Sequence, residues 1–257
     1  MRGRIALPLL AAANWDAWWL LVGRAEDLIA QLLAAVLLGA FAWAWHRTPR
    51  EAELPAPVLL VALLASALAG YTGPALLQIG VAVAAMVWAS RRASGRRVPL
   101  APLTGLALLA LPVLPTLDFL LTWPLRRVSA MLSVGLLRMN GVELGLEGVA
   151  LDWHGKLLLF DAPCSGVRML WAALLLASIL ALAGGFGPWR YLRALSLATA
   201  IAVAGNALRA ASLFYLENGF VPQLAQPWAH EAIGLVAFAL LAAATLAAIR
   251  LPRKAFA

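Results

Sequence analysis

Apolar residues run in blocks along almost the whole chain, separated by clusters of arginine, proline and glycine. A helix needs about 20 apolar residues to cross the roughly 30 Å hydrocarbon core of a bilayer, and helices satisfy their own backbone there. The blocks predict eight spanning helices, near residues 5–22, 28–45, 57–70, 75–90, 100–122, 166–185, 192–216 and 231–249. The third and fourth are short, and Tyr71-Thr72-Gly73-Pro74 between them predicts a tight turn and a helical hairpin. Ile5 to Val22 is weakened by Asn14 and Asp16 and reads as a span or an interfacial segment. Arg2, Arg4 and the small residues Ala11 to Ala13 also fit a cleavable signal peptide, but apolarity continues through Trp18 to Val22 and favours a retained segment.

A longer segment, 123–163, separates the fifth and sixth blocks. Leu125 to Met139 has apolar residues at helical spacing, with Arg126, Arg127 and Arg138 near its ends, which predicts an interfacial helix. Alternation follows: Val142, Leu144 and Leu146, then Val149, Leu151 and Trp153, and after His154-Gly155 come Leu157, Leu159 and Asp161. That pattern predicts a β-hairpin or meander leading into Cys164, a lip suited to covering a membrane-embedded site. The expected fold class is therefore all-α and polytopic, with about eight transmembrane helices and a small extracytoplasmic β-hairpin lip. It forms one integral membrane domain: N-terminal helices over 1–122, the lip over 123–163, and helices over 164–257.

Composition supports a membrane protein and narrows the chemistry. Of the 257 residues 63% are hydrophobic and 12% charged, against about 25% charged in an ordinary soluble domain. The net charge of +8 is a sum over loops and not one basic face, which argues against nucleic-acid binding. Placing both termini in the cytoplasm puts 13 of the 20 basic residues on that side, including the Arg91–Arg97 loop and the Arg253-Lys254 tail. The positive-inside rule favours that orientation, with 123–163 outside. Cys164 is the one cysteine, so no intramolecular disulfide and no zinc-ligand spacing exists, and any role it has is as a thiol.

Three short stretches carry candidate chemistry. In DAPCSGVRML, Pro163 closes the extended segment and Ser165-Gly166 opens a helix, which places the Cys164 thiol near a helix N-terminus. Amide dipoles there favour a thiolate, and Arg168, one turn on, would lower the thiol pKa further. In GNALRAAS, Asn206, Arg209 and Ser212 recur every three residues and read as one side of a helix, with Arg209 about 10 Å below its outer end. An arginine at that depth should face the protein interior or a wet cavity. In QPWAHEAIG, His230 opens the last helix at a depth matching Cys164, ahead of Glu231 and Gly234. Thiolate, guanidinium and imidazole together suit attack on a peptide carbonyl, with the arginine stabilising the thiolate or the oxyanion and the histidine moving the proton. Water would then release a protease product, and another nucleophile a transpeptidase product. His46 and His154 are assigned no role.

From TLDFLLTWPLRRVSA onward the chain resembles the exosortase/archaeosortase family of multispanning cysteine transpeptidases and proteases. The resemblance rests on Cys164, Ser165, Gly166 and Arg168, on Asn206 and Arg209, and on His230 with Gly234. One departure is that Ala162 stands where the family commonly has an acidic residue, with Asp161 one position earlier. The resemblance implies Cys164 as nucleophile, Arg209 as electrostatic partner and His230 as general acid and base, with Arg168, Asn206, Ser165 and Gly166 supporting. It implies no metal or organic cofactor. The implied partners are exported proteins with a tripartite C-terminal sorting signal, made of a short Pro-containing motif, a transmembrane helix and a basic cluster. The implied location is a bacterial cytoplasmic membrane, with the site facing outward. Two rival readings are a transporter, for which neither internal repeats nor midplane polar residues are clear, and a noncatalytic assembly factor of an exopolysaccharide or surface-protein system.

Overall fold

The computed structural model describes residues 3–23, 28–49, 51–95, 97–111, 114–159, 166–218, 220 and 227–250. The chain divides into two compact units: Met1–Leu114 with Ser178–Leu192, and Pro115–Ala177 with Arg193–Ala257.

In the first unit, α5 (Ala75–Ser94) packs against α1 (Gly3–Ala13), α2 (Trp15–Gly23), α3 (Leu28–Arg47), α4 (Ala56–Thr72) and α6 (Leu100–Ala110). Its sequence suits that place, because buried Ala82, Ala85, Ala89 and Ala93 recur at helical spacing and let neighbours approach closely. The predicted hairpin is present: α4 and α5 pack together across Gly73-Pro74, with Gly73 N–H donating to Ala69 O at 2.9 Å and Gln78 Nε2 to Gly70 O and Gly73 O. Tyr191 shares a 2.7 Å hydrogen bond with Ser178 and fits against α6 only because Gly105 has no side chain. A Cβ there would stand 1.8 Å from Tyr191 Oη.

The second unit contains α7 (Leu114–Met139), a three-stranded antiparallel sheet of β1 (Gly145–Glu147), β2 (Ala150–Trp153) and β3 (Lys156–Leu159), most of α8 (Val167–Ala183) and α9 (Pro188–Glu217), and α10 (Pro227–Arg250). Gly141 (φ 81°) ends α7 in a Schellman motif, Val142 N–H bonding Leu137 O and Gly141 N–H bonding Arg138 O. Arg138 then donates through Nε and Nη2 to Leu144 O and holds the chain at the edge of the sheet. The turn between β2 and β3 has positive φ at both His154 and Gly155, as a two-residue type I′ hairpin requires, and Gly155 N–H bonds Asp152 Oδ1. Leu144 and Leu151 of the lip join Ala130, Val134 and Leu137 of α7 and Ala210, Ala211 and Phe214 of α9 in one buried cluster, with Trp153 edge-on to Phe214.

The predicted eight spans are not found. Among the described residues there are ten helices, of which Pro188–Leu216 and Trp228–Arg250 are long and apolar enough to cross a membrane. The bent pair Ile5–Ala13 and Trp15–Gly23 makes a third if counted as one span. The reasons are local. Asn14 turns its amide onto Leu10 O, and the first block bends by 62° there. Leu111 lies before Pro112, which disfavours helical backbone; it is extended (ψ 141°) and stops α6 after 11 residues, splitting the expected fifth span. The rest of that span and the expected interfacial helix are one helix, α7, which runs through Pro124 and contains Asp118, Arg126, Arg127 and Arg138. α4 and α8 stop at 17 residues, the latter at a second Schellman motif on Gly185. The lip itself is present as a meander.

Candidate functional site

The second unit positions the residues singled out above. Gly166 is the N-cap of α8, its carbonyl accepting the first helical hydrogen bond from Leu170 N–H at 2.9 Å. The predicted helix start after Ser165 is therefore found. Gly166 has φ 81°, a left-handed conformation in which a non-glycine residue is strained. It also lies directly on Asn206, since a Cβ on Gly166 would be 2.7 Å from Asn206 Nδ2 and 2.8 Å from its Cγ. Asn206 is 1% exposed, and its Nδ2 donates to Ser129 Oγ of α7 at 2.9 Å. Ser133, one turn further along α7, donates to Ala207 O at 3.0 Å. Met169 of α8 lies over Gly205, where a Cβ would stand at an ordinary 3.5 Å from its Cε. The start of α8 is thus seated on the middle of α9 through Gly166 and Asn206.

On another side of α9, Arg209 faces α10. A Cβ on Gly234 would lie 3.8 Å from Arg209 Nε, so the guanidinium passes where a larger side chain would stand. The two helices are antiparallel: Leu213 and Leu216 pack with Ala229 and Ile233, while Arg209 meets Gly234. His230 is partly buried in the first turn of α10, one turn from Gly234 and on the same stripe. An open groove of about 510 Å³ runs along α9 and α10, with Arg209, Ser212 and Trp228 toward one end and Ile201, Leu241 and Ala244 toward the other. A second groove, about 590 Å³ in the first unit, is lined by Trp15, Trp18, Trp19 and Trp45 and by no ionisable side chain.

The sequence places Asn206, Arg209 and Ser212 on one side of the helix; in the structure Arg209 and Ser212 line the same groove and Asn206 is turned away from it. At about 100° per residue, Asn206 and Ser212 are about 120° apart; Asn206 faces α7, whereas Ser212 is exposed and returns its hydroxyl to Leu208 O at 2.9 Å. Arg168 is exposed on the second residue of α8. Cys164 and Ser165 lie outside the described residues. Two members of the site were missed, Ser129 and Ser133. Their signal was present as polar residues four apart on an apolar helical face. Among the described residues no group of three or more His, Cys, Asp or Glu side chains is placed to hold a metal ion.

The motifs are therefore tied pairwise: the first to the second by Gly166 on Asn206, the second to the third by Arg209 beside Gly234. Comparison with known proteins bears on the same stretch. No curated protein and no solved structure gives a significant match. The profile of the family described as transmembrane exosortase matches residues 9–247, nearly the whole chain. This chain belongs to the transmembrane exosortase family.

Proposed function

We propose that the chain is a membrane cysteine peptidase or transpeptidase that removes C-terminal sorting tails from exported proteins through a thioester on Cys164. The observation that carries this reading is the pairwise joining of the three motifs by Gly166 and Gly234. Chain connectivity supports it, because Cys164 is two residues from Gly166 and about 7 Å is the most that separation allows.

In the reaction, the Cys164 thiolate adds to the scissile carbonyl, and Arg209 stabilises the resulting oxyanion through its guanidinium N–H groups. His230, as imidazolium, gives a proton to the amide nitrogen; the C–N bond breaks, the amine leaves and an acyl thioester remains. The neutral imidazole then takes a proton from the incoming nucleophile, whose oxygen or nitrogen bonds the acyl carbon as the thiolate departs. Asn206 acts through Gly166, fixing the start of α8 and with it the segment that bears Cys164. Arg168, at the exposed start of that helix, favours the thiolate. The reading places the site on the outer face of a bacterial cytoplasmic membrane, with both termini inside. Co-expression with an exported protein bearing such a tail tests it: wild type removes the tail and Cys164→Ala does not. Equal processing by both would refute covalent catalysis.

A further inference from the structure

α7 and α9 run side by side in the same direction. Ser129 meets Asn206, Ser133 meets Ala207, and Ala130, Val134 and Leu137 pack with Ala210, Ala211 and Phe214. At about 100° per residue, positions 126, 129, 130, 133 and 137 fall within an arc of about 100°, so Arg126 belongs to the face that α7 turns toward α9. It lies one turn before Ser129 and therefore comes level with about residue 202 of α9, the middle of the apolar stretch Pro188–Leu216. The neighbouring Arg127 behaves as a surface arginine, exposed and 5.6 Å over the ring of Trp123. Arg126 does not: the residue is partly buried, and its Nε is buried and meets no hydrogen-bond acceptor among the described residues. Asp118, the other charged residue in the first half of α7, is two turns back, exposed, and bonded by Thr122.

We propose that Arg126 is a substrate-binding residue that takes a carboxylate of the polypeptide being processed, an inference that rests on the function proposed above. A partly buried guanidinium is stabilised by a partner that neutralises it, and its Nε and one Nη form a fork matching the two oxygens of a carboxylate. That Nε, unmet among the described residues, is one prong of the fork. Ser129, which accepts from Asn206, still has its own hydroxyl proton to donate one turn away. The line Arg126, Ser129, Asn206 thus connects a carboxylate-sized anchor to the residue that seats Gly166, so that anchoring the chain at one point sets where its carbonyl lies relative to Cys164.

The test uses the full chain in proteoliposomes of zwitterionic lipid. The probes are a tailed protein that wild type processes and its version with every Asp and Glu of the tail replaced by Asn or Gln. Arg126→Gln should lower the processing rate of the acidic probe at limiting concentration by roughly 10- to 100-fold, chiefly through KM, as expected for a hydrogen-bonded charge pair. The neutral probe should lose a similar factor with wild type and little more with the variant, since both changes remove the same interaction. Arg126→Lys, which keeps the charge, should fall between and carries the comparison if the glutamine variant does not fold. Wild-type rates with Arg126→Gln, or losses that multiply, would overturn the proposal. So would a loss seen only when anionic lipid is added, which would assign Arg126 to a headgroup. If wild type and Cys164→Ala process the probe alike, the failure belongs to the catalytic reading instead.

Discussion

A side chain at Gly166 would meet two obstacles at once, a left-handed φ of 81° and Asn206 Nδ2 at 2.7 Å, whereas one at Gly234 would find Arg209 Nε at an ordinary 3.8 Å. Gly166→Ala is accordingly expected to cost at least about 2 kcal/mol, from the left-handed backbone and the displacement of Asn206, and to abolish processing. Gly234→Ala should stay within about 0.5 kcal/mol, while Gly234→Leu should displace Arg209 and impair turnover with less loss of stability. Thermal unfolding and tail processing on the same preparations check both; a tolerated Gly166→Ala would show that α8 is not seated on Asn206. The three reacting groups should fail differently. Cys164→Ser removes the strong nucleophile and should be inactive; Arg209→Lys loses the planar paired donors and should be severely impaired; His230→Ala should stall at protonation of the leaving amine. Arg168→Ala should be milder and should move the pH profile of Cys164 alkylation upward, because removing a nearby cation disfavours the thiolate. An unchanged profile would detach Arg168 from the thiol. The residue types were readable in the sequence, but the partner of Asn206 was not. Ser129 lies 77 positions away, and no local period connects them.

At the scale of elements, the lip was legible because its turns carry the chemistry that turns demand: Gly148, His154 and Gly155 all have positive φ. Gly155→Val should therefore unravel the β2–β3 turn and loosen the approach to α8. Proteolysis between residues 150 and 159 reads the effect directly, and unchanged resistance would contradict the turn assignment. The alternation read Leu157 and Leu159 as the patterned face of β3, and the structure corrects that phase, which a run of three leucines, Leu157, Leu158 and Leu159, cannot fix. Pairing decides it: Leu158 stands opposite Leu151 and packs on the core, leaving Leu157 54% exposed. α7 shows the converse limit. Pro124 reads as a break, yet the helix continues because the ring and the carbonyl it frees, that of Leu120, lie on an exposed side while the opposite face packs on α9. Hydropathy blocks located most helices but overstated how many are long enough to span. Block counting does not register a 62° bend at Asn14 or a stop at Leu111.

Over the whole chain, arginine distribution is what bears on orientation, and single cysteines in a Cys164→Ala background test it. Exposed Lys156 of the lip should react with a membrane-impermeant reagent when replaced by cysteine, and exposed Arg97 should not. Labelling of the Arg97 position from outside would invert the proposed topology. The first unit, with its tryptophan-lined groove, contains none of the residues assigned to the reaction. The motifs all belong to the second, so catalytic failure should follow from changes there. A thioester on Cys164 can be trapped by neutral hydroxylamine added during processing, because hydroxylamine intercepts an acyl thioester and leaves a hydroxamate at the new C-terminus. Wild type should yield that hydroxamate, and Cys164→Ala should yield neither hydroxamate nor a shortened product. Continued tail removal by Cys164→Ala, without hydroxamate, would contradict covalent catalysis at Cys164.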